Sequence, residues 1–354
     1  MSVFTSMSEK DHEQVVYCYD KSSGLRAIIA IHDTTLGPAL GGCRLWHYEN
    51  EAAALRDALR LSRGMTYKAA IAGLNLGGGK TVIMADAHTT KSESMFRSLG
   101  RFIEGLAGRY ITAEDVGTTV KDMSWVRVET SHVTGLSPAL GGLGDPSPIT
   151  ALGVFHGQRA ALQHVFGQDT MAGRTVAIQG LGQVGGHLVS HLISAGANVV
   201  ACDRDSLKIK NILERFSQIK IVSPEEIYDV SCDIFAPCAL GGTVNQKTIE
   251  RLRCPIIAGS ANNVLEQEEI DSALLKSKNI LYVPDFVISA GGLMSVSVEL
   301  AHGKRKDALA MATGIFDIVD HVLNTASQEN ITTQVAALRV AEKRIASIRS
   351  LRRH

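Results

Sequence analysis

The hydrophobic positions of the first 145 residues predict a mixture of strands and helices. Residues 24–33, GLRAIIAIHD, are almost continuously apolar, as in a buried strand. Residues 50–72 and 92–108 instead carry apolar side chains at helical spacing. Two further strands are predicted at TVIMAD and YITAED. This half of the chain therefore combines a sheet with packed helices.

The pattern changes after GLGDPSPIT, a stretch rich in glycine and proline that marks a domain boundary. Short apolar strands then alternate with helical or loop segments, at RTVAIQG, NVVACD, IKIV, DIFAPC, PIIAGS and NILYVP. Such strands predict a parallel sheet covered on both faces. We therefore expect an α/β fold with two domains, residues 1–146 and 147–330, followed by an amphipathic helix within residues 331–354.

Composition and charge exclude several classes of protein. The chain has 354 residues, of which 45% are hydrophobic, and its 36 basic residues balance 36 acidic ones. We expect no nucleic-acid partner, and the lack of a long apolar run predicts no membrane segment and a cytoplasmic location. The six cysteines are scattered without a CxxC pair, which favours reduced thiols and no metal site.

A glycine-rich turn in QGLGQVG predicts a dinucleotide site. Gly180, Gly182 and Gly185 have the GxGxxG spacing, follow a predicted strand and open a predicted helix. The expected contacts of the cofactor with this turn also include Leu181, Gln183 and Val184. The helix N-terminus would bind the pyrophosphate. The alternative is a purely structural turn.

An acidic residue follows the next predicted strand, as the dinucleotide fold requires. Asp203, 23 residues after Gly180, would accept hydrogen bonds from the ribose hydroxyls and repel a 2′-phosphate. This favours NAD over NADP, although Arg204 beside it weakens the preference. The alternative is that Asp203 is only a capping residue.

Two lysines flank a run of three glycines in the first domain. Lys68 lies near the end of a predicted helix, and Lys80 directly follows Gly77–Gly79, which we interpret as a turn before a strand. Such a turn could bring the two ammonium groups together, and repulsion and burial would lower the pKa of one of them. That lysine could act as a general base, and the other could hold a carboxylate. The residues alone equally fit two surface lysines beside a loop.

A carboxylate at a strand end could complete this site. Asp115 follows the predicted strand YITAE, and strand-end loops commonly carry reactive groups. An aspartate near two lysines could relay protons. The alternative is that Asp115 caps the helix that follows, a role that Thr118 could also fill.

Taken together and in this order, eight motifs resemble the glutamate/leucine/phenylalanine/valine dehydrogenases. They span almost the whole chain: GPALGGCR, RGMTYKAAIAGLNLGGGKTVI, RYITAEDVGTT, GDPSPITALGV, QGLGQVGGHL, APCALGGTVN, IAGSANN and PDFVISAGG. The resemblance implies NAD(P)-dependent, reversible oxidative deamination of L-amino acids to 2-oxo acids and ammonia. It also implies a substrate and oligomerisation domain, a Rossmann-type doubly wound NAD-binding domain, a cleft between them, and a terminal helix that packs back on the first domain.

The resemblance assigns roles to particular residues. Lys80 would take a proton from the water that attacks the imine, Asp115 would relay protons to and from the amino group, and Lys68 would bind the substrate carboxylate. Further substrate contacts are expected at Gly41, Asn262 and Asn263, and further cofactor contacts at Thr150, Cys238, Ala239 and Asn263.

The side-chain pocket is expected to be apolar. In glutamate-specific members a lysine precedes the GGxR motif, and here Leu40 holds that place. A second carboxylate would be buried there without a partner. The expected pocket wall is formed by Leu40, Ala113, Leu293 and Val296. Such a wall suits leucine, valine or isoleucine, and an aromatic amino acid of the phenylalanine or tryptophan type is the alternative.

Two further expectations concern the protein as a whole. A non-catalytic NAD-binding sensor would be favoured by loss of the two lysines or of Asp115, and all three residues are present. Members of the family are usually homo-oligomers, so an octamer or a dimer is expected.

Overall fold

A computed structural model of the protein describes residues 2–86 and 91–351. The chain forms two compact units, each made of more than one segment. The first unit contains the chain up to Asp145, Val296–Lys304 and the residues from Ala341 onwards; the second contains Pro146–Ser295 and Arg305–Val340. This division differs from the three consecutive ranges predicted from the sequence, residues 1–146, 147–330 and 331–354. Residues 296–304 belong to the first unit, and residues 331–340 belong to the second.

The first unit is built around a mixed five-stranded sheet in the order β1-β2-β4-β3-β5. Strand β4 pairs antiparallel with β2 and parallel with β3, which in turn is parallel to β5. Its helices and strands are α1 (Val3–Ser8), β1 (Gln14–Asp20), β2 (Leu25–Asp33), β3 (Ala39–Trp46), α2 (Glu51–Ile71), β4 (Gly77–Met84), α3 (Glu93–Glu104), β5 (Tyr110–Glu114) and α4 (Val120–Arg127).

The two faces of this sheet are covered by different helices. Alternate residues of β2 and β4, such as Ile28 and Val82, pack against Ala54 and Ala58 of α2. The opposite face packs against the apolar side of α3 in a larger cluster that includes Phe96. Helix α2 begins at Asn50, whose side chain accepts a hydrogen bond from the Ala53 backbone. The predicted strands and helices of this region are confirmed.

The second unit contains the predicted parallel sheet. Its six strands are arranged in the order β11-β10-β9-β6-β7-β8, with parallel pairing between neighbours. The helices and strands are α5 (Ser147–Phe166), β6 (Thr175–Gln179), α6 (Gln183–Ser194), β7 (Asn198–Cys202), α7 (Ser206–Arg215), β8 (Lys220–Ile221), β9 (Ile234–Pro237), α8 (Gln246–Ile249), β10 (Ile256–Ile257), α9 (Glu268–Ser277), β11 (Leu281–Tyr282) and α10 (Asp285–Ile288). This is the strand order of a doubly wound dinucleotide-binding fold, so the predicted fold class is confirmed.

Four helices complete the described chain: α11 (Gly291–Leu300), α12 (Arg305–Thr313), α13 (Ile315–Glu329) and α14 (Thr333–Leu351). The last part of α14 packs on the first unit, where Arg344 donates to the carbonyl oxygens of Ala70, Gly73 and Leu74. Within residues 2–86 and 91–351, no helix is long and apolar enough to cross a membrane.

Glu299 explains why the end of α11 belongs to the first unit. Its carboxylate accepts hydrogen bonds from the Thr134 hydroxyl at 2.8 Å and from the backbone of Gly135 at 2.9 Å, Leu136 at 3.3 Å and Leu143 at 3.1 Å. Hydrogen bonds to a charged acceptor are stronger than those between neutral groups. One side chain therefore fixes the loop that leads out of the first unit.

Candidate active site

Lys80 lies within a strand, which corrects the interpretation of the glycines before it. Gly77–Gly79 are the first three residues of β4, and Lys80 is the fourth. None of the three glycines has a positive φ angle. The turn lies earlier in the chain, where Gly73 has φ 74°.

The three glycines are explained by close packing rather than by a turn. A Cβ atom on the first or second glycine would collide with the backbone of Asp33 or Thr66, and one on the third would lie 2.6 Å from the Tyr110 ring. Thr66 belongs to α2, so the helix approaches the strand at a distance that only glycine allows. This packing encloses Lys80, whose side chain is 6% exposed.

Lys80 is paired with Asp115. Its Nζ atom lies 2.7 Å from Oδ2 of the aspartate, whose side chain is 24% exposed. The helix after Asp115 is capped by Thr119, which forms a capping box with Asp122. Neither of the capping alternatives, Asp115 or Thr118, is therefore correct.

The surroundings lower the pKa values of both Lys80 and Asp115. Burial lowers the pKa of Lys80 below its ordinary value, and Asp115 offsets this only in part. Burial would raise the pKa of Asp115, but the charges of Lys80 and Arg44 prevail and hold that pKa below its usual value. An ionised carboxylate thus lies beside a lysine that loses its proton more readily than usual.

The sequence predictions did not include Arg44, the second partner of Asp115. Its Nε atom lies 3.0 Å from Oδ2 of Asp115, and its Nη1 atom lies 3.0 Å from Oδ2 of Asp57 on α2. A signal was available, because Arg44 is four residues after Leu40 on β3 and therefore on the same face. Arg44 also adds to the lowering of the pKa of Lys80.

Gly42 makes room for the aspartate. It pairs with Ala113 across β3 and β5, and a Cβ atom at Gly42 would lie 2.8 Å from Cβ of Asp115 and 2.7 Å from the Glu114 carbonyl oxygen. No side chain could occupy this space without moving Asp115 away from Lys80.

Lys68 lies in the last turn of α2 and is half-buried. Thr66, which packs against Gly78, lies two residues before Lys68 in the helix. Gly78 in turn lies two residues before Lys80 in the strand. Both lysines therefore belong to the layer formed by α2 and the sheet face beneath it. The role of Lys68 stays a prediction.

The predicted pocket residues have different environments. Leu40 is 1% exposed and Ala113 is half-buried, and both lie on the sheet of the first unit. Leu293 and Val296 lie on α11, Leu293 in the second unit and Val296 in the first. Their shared pocket stays a prediction. Gly41 has a packing role, since a Cβ there would collide with Gly79, and its carbonyl oxygen accepts a hydrogen bond from Tyr110.

The glycine turn of the second unit has the geometry of a phosphate-binding turn. Gly180 has φ 105°, and Gly182 is the N-cap of α6 with open space around it. A Cβ at Gly185 would collide with the carbonyl oxygen of Gly180, so the third glycine allows helix and strand to pack. No side chain caps α6, so its first N–H groups are suited to an anion.

The turn lies at the point where the strand order reverses. Gly180 follows β6 and Ala239 follows β9, the neighbouring strand, and a Cβ on Gly180 would lie 2.8 Å from Cβ of Ala239. Ligands of doubly wound sheets bind at this position. The residues present therefore fit a dinucleotide.

Asp203 supports the turn directly. Its Oδ2 atom accepts from the backbone N–H of Leu181 at 2.7 Å, and its Oδ1 atom accepts from that of Asp205 at 2.9 Å. The carboxylate is half-buried, whereas Arg204 is exposed. Asp203 thus has a structural role besides the predicted contact with ribose, and the cap of α7 is Asp205 instead.

The other predicted cofactor contacts have mixed surroundings. The Thr150 hydroxyl donates to the Pro146 carbonyl oxygen, and the backbone N–H of Cys238 donates to Gln179. Asn262 and Asn263 are exposed, and Asn263 has φ 51°. These roles stay predictions, as do those of Gln183 and Val184 in the first turn of α6. All six cysteines are free thiols.

The chain thus combines a doubly wound parallel sheet that carries a glycine turn with a buried lysine–aspartate pair on a separate sheet. Residues 12–132 match the family model described as Glu/Leu/Phe/Val dehydrogenase, dimerisation domain. Residues 141–207 and 203–353 match the model for Glutamate/Leucine/Phenylalanine/Valine dehydrogenase. The chain belongs to this family and is an amino acid dehydrogenase.

Individual relatives extend along nearly the whole chain. Leucine dehydrogenase of Thermoactinomyces intermedius is 52% identical over 99% of this chain and 96% of its own length. Phenylalanine dehydrogenase of the same organism is 44% identical over the same shares. The crystal structure of L-tryptophan dehydrogenase from Nostoc punctiforme is similar with a TM-score of 0.88 and 43% identity, covering 98% of this chain and 100% of that one.

Proposed function

We propose that the protein catalyses the NAD-dependent, reversible oxidative deamination of a branched-chain L-amino acid, leucine with valine and isoleucine, to the 2-oxo acid, ammonia and NADH. The observation that carries this proposal is the buried Lys80 with a lowered pKa, held 2.7 Å from Asp115. Deamination needs a base that is neutral near physiological pH and a carboxylate that can exchange protons with an amine.

The proposed steps use the residues of the site as follows. Ionised Asp115 would first accept a proton from the ammonium group of the substrate. A bound NAD would supply the acceptor for the hydride of the substrate Cα, so that the amine becomes an imine. Lys80 in its deprotonated form would take a proton from the water that adds to the imine carbon, and Asp115 would return its proton to the nitrogen, so that ammonia leaves as the hydroxyl of the adduct loses its proton and the carbonyl forms. The reaction consumes water and the oxidised cofactor, and its products are the 2-oxo acid, ammonium, the reduced cofactor and one proton.

Binding of the two ligands is assigned to residues outside this pair. Lys68 would hold the substrate carboxylate as a charged hydrogen-bond donor. The turn at Gly180–Gly185 would bind the pyrophosphate of NAD, and Asp203 would accept from the ribose hydroxyls while its bond to Leu181 fixes the turn. A carboxylate at that place disfavours a 2′-phosphate.

The preference for a branched aliphatic side chain rests on Leu40. It is fully buried and apolar, so a glutamate carboxylate beside it would lose its hydration without gaining a partner. The identity to leucine dehydrogenases supports the same choice. Similarity to the phenylalanine and tryptophan enzymes supports an aromatic amino acid as the second candidate.

A panel of L-amino acids tests both candidates. The purified protein is incubated with each amino acid and either NAD or NADP, and the absorbance of the reduced nicotinamide is followed. We expect kcat/KM to be highest for leucine, isoleucine or valine with NAD. A higher value for phenylalanine or tryptophan would support the second candidate, and turnover of none of them would contradict the proposal.

We also propose that the protein is a homo-oligomer, an octamer or a dimer. The first unit matches a family model described as a dimerisation domain. Light scattering coupled to size-exclusion chromatography gives the mass directly. A mass close to the 37.9 kDa of one chain would contradict this proposal.

A further inference from the structure

We propose that Arg44 is a positioning residue of the reaction, which holds Asp115 in the orientation that serves Lys80 and the substrate nitrogen. The role of Arg44 in catalysis rests on the proposed deamination. The contacts of Arg44 with Asp115 and Asp57 are seen directly in the first unit. Arg44 acts through Asp115 and is not assigned a contact with substrate.

The first step of the argument is that two cations share one oxygen. Nζ of Lys80 and Nε of Arg44 both bind Oδ2 of Asp115, at 2.7 and 3.0 Å. With Oδ2 held from two directions, rotation of the carboxylate is restricted. We infer that this restriction keeps Asp115 in the orientation in which it exchanges a proton with the substrate nitrogen.

The second step is that Arg44 is itself fixed from behind. Its Nη1 atom binds Oδ2 of Asp57, which also accepts from the Tyr48 hydroxyl at 2.7 Å. The other oxygen of Asp57 accepts from Arg60 at 3.0 Å. The guanidinium thus bridges a carboxylate on a helix and one at the end of a strand, a geometry that its planar donor group suits and a lysine cannot reproduce.

The third step is that these groups share one face of the sheet. Arg44 pairs with Val82 across β3 and β4, and Val82 packs against α2, the helix that carries Asp57. Gly42, two residues before Arg44, leaves the space through which Asp115 reaches Lys80. The side chains of Arg44 and Asp57 are 21% and 18% exposed, so water competes little for their hydrogen bonds.

The fourth step concerns charge. The groups that act on Lys80 are Asp115 and Arg44, together with the Cys43 thiol. Lys68 belongs to α2, which packs on this face of the sheet, and Asp57 and Tyr48 lie behind Arg44. Arg44 lowers the pKa of Lys80 and also that of Asp115. Removal of this charge raises both, so the pH at which Lys80 becomes a base moves upward.

The test compares Arg44→Ala and Arg44→Lys with wild type. Because small displacements of a reacting group are costly, we expect kcat for leucine to fall about 10- to 100-fold in Arg44→Ala. KM for leucine and the dissociation constant for NADH should change less than about threefold, since neither ligand is assigned a contact with Arg44. The rising limb of kcat against pH should move to higher pH, and Arg44→Lys should recover only part of the rate.

Arg97 supplies a matched control. It also bridges two carboxylates in the first unit, with Nε 2.7 Å from Glu129 and Nη1 3.4 Å from Glu93. Arg97→Ala should leave kcat and its pH profile unchanged. A kcat for folded Arg44→Ala within twofold of wild type, or an equal loss in Arg97→Ala, would overturn the positioning role.

A second measurement separates this inference from the proposed function. Lys80 is labelled with an amine-reactive reagent over a range of pH, and mass spectrometry gives its titration midpoint without substrate. The midpoint should be higher in Arg44→Ala than in wild type. If the midpoint is higher in Arg44→Ala but the wild type deaminates no amino acid, the proposed function alone is rejected. If the wild type is active but Arg44→Ala has the same midpoint as wild type, the role of Arg44 is rejected.

Discussion

The two candidate sites of this protein are built in opposite ways. The glycine turn of the second unit consists of neighbouring residues, Gly180 to Gly185, and its binding groups belong to the backbone. The lysine site of the first unit joins side chains from β3, β4, α2 and the end of β5, and its binding groups are charged. The first depends on conformation and the second on the arrangement of partly buried charges.

This difference determines how each site responds to substitution. A backbone site fails when a glycine is replaced or its supporting carboxylate is lost, and the main loss is in ligand binding. A site of buried charges fails when one charge loses its partner, because an uncompensated charge is costly in a partly dry environment. Its main loss should be in catalytic rate.

The largest expected effect is that of Lys80→Ala. Loss of the base should lower kcat for deamination by about 10²- to 10⁴-fold, while NADH binding, followed by fluorescence titration, stays unchanged. Lys91→Ala is the control, since Lys91 also pairs with an aspartate, Asp122, at 2.6 Å in the first unit. Turnover of Lys80→Ala within tenfold of wild type would contradict the assignment.

Gly42→Ala should have the next largest effect. The added methyl group meets Cβ of Asp115 at 2.8 Å and displaces the carboxylate, so kcat should fall about 10- to 100-fold. Gly64→Ala is the matched control, because a Cβ there has no atom within 4 Å, and alanine in a helix should stabilise by about 0.5–1 kcal/mol. Equal kcat values for the two variants would show that Asp115 tolerates displacement.

Leu40→Lys tests specificity rather than rate. A lysine supplies a partner for the glutamate side chain, so the ratio of kcat/KM for glutamate to that for leucine should rise about tenfold or more. Leu40→Met, of similar length and without charge, should leave the ratio unchanged. A flat ratio in a folded Leu40→Lys variant that still binds NADH would remove Leu40 from the side-chain pocket.

The smallest expected effect belongs to the backbone site. Asp203→Ala removes the carboxylate that accepts from the Leu181 backbone N–H and that repels a 2′-phosphate. The ratio of kcat/KM with NAD to that with NADP should therefore fall by a few-fold, and KM for NAD should rise. Asp205→Ala, which removes only the cap of α7, should cost about 1 kcal/mol of stability and keep the preference. Equal efficiency with both cofactors in wild type would indicate that Arg204 dominates.

The sequence predicted the backbone site better than the charged one, for a physical reason. The glycine spacing and the acidic residue after the second strand are local features. Gly180 has the positive φ angle and Gly185 the close packing that their positions predict, and the contact of Gly182 with a pyrophosphate stays a prediction. Lys80 and Asp115 were predicted through a family resemblance. Arg44 and Asp57 were missed, because their proximity depends on β4 lying between β2 and β3, which is not the order along the chain.

The glycines before Lys80 show a second limit of sequence interpretation. Three consecutive glycines locally favour a turn. Here the same residues form a strand that pairs with β2 and β3. Glycine is required in it because α2 and Tyr110 approach the backbone too closely for a side chain. Such pairing and crowding arise from residues distant in sequence, so the local preference gave the wrong element.

The Glu299 carboxylate has a consequence for how the chain is made. Its hydrogen-bond donors, Thr134 to Leu143, leave the ribosome 156 to 165 residues before it does. Contacts at such separation form late, because a long loop must close first. Most residues of the second unit precede Glu299 in the chain, so this unit can fold during synthesis. The first unit cannot complete its contacts until Glu299 has been made. A nascent chain that stops before α11 would leave the hydrogen-bond donors of this loop without their acceptor, and the loop would stay open to proteases until Glu299 has been made.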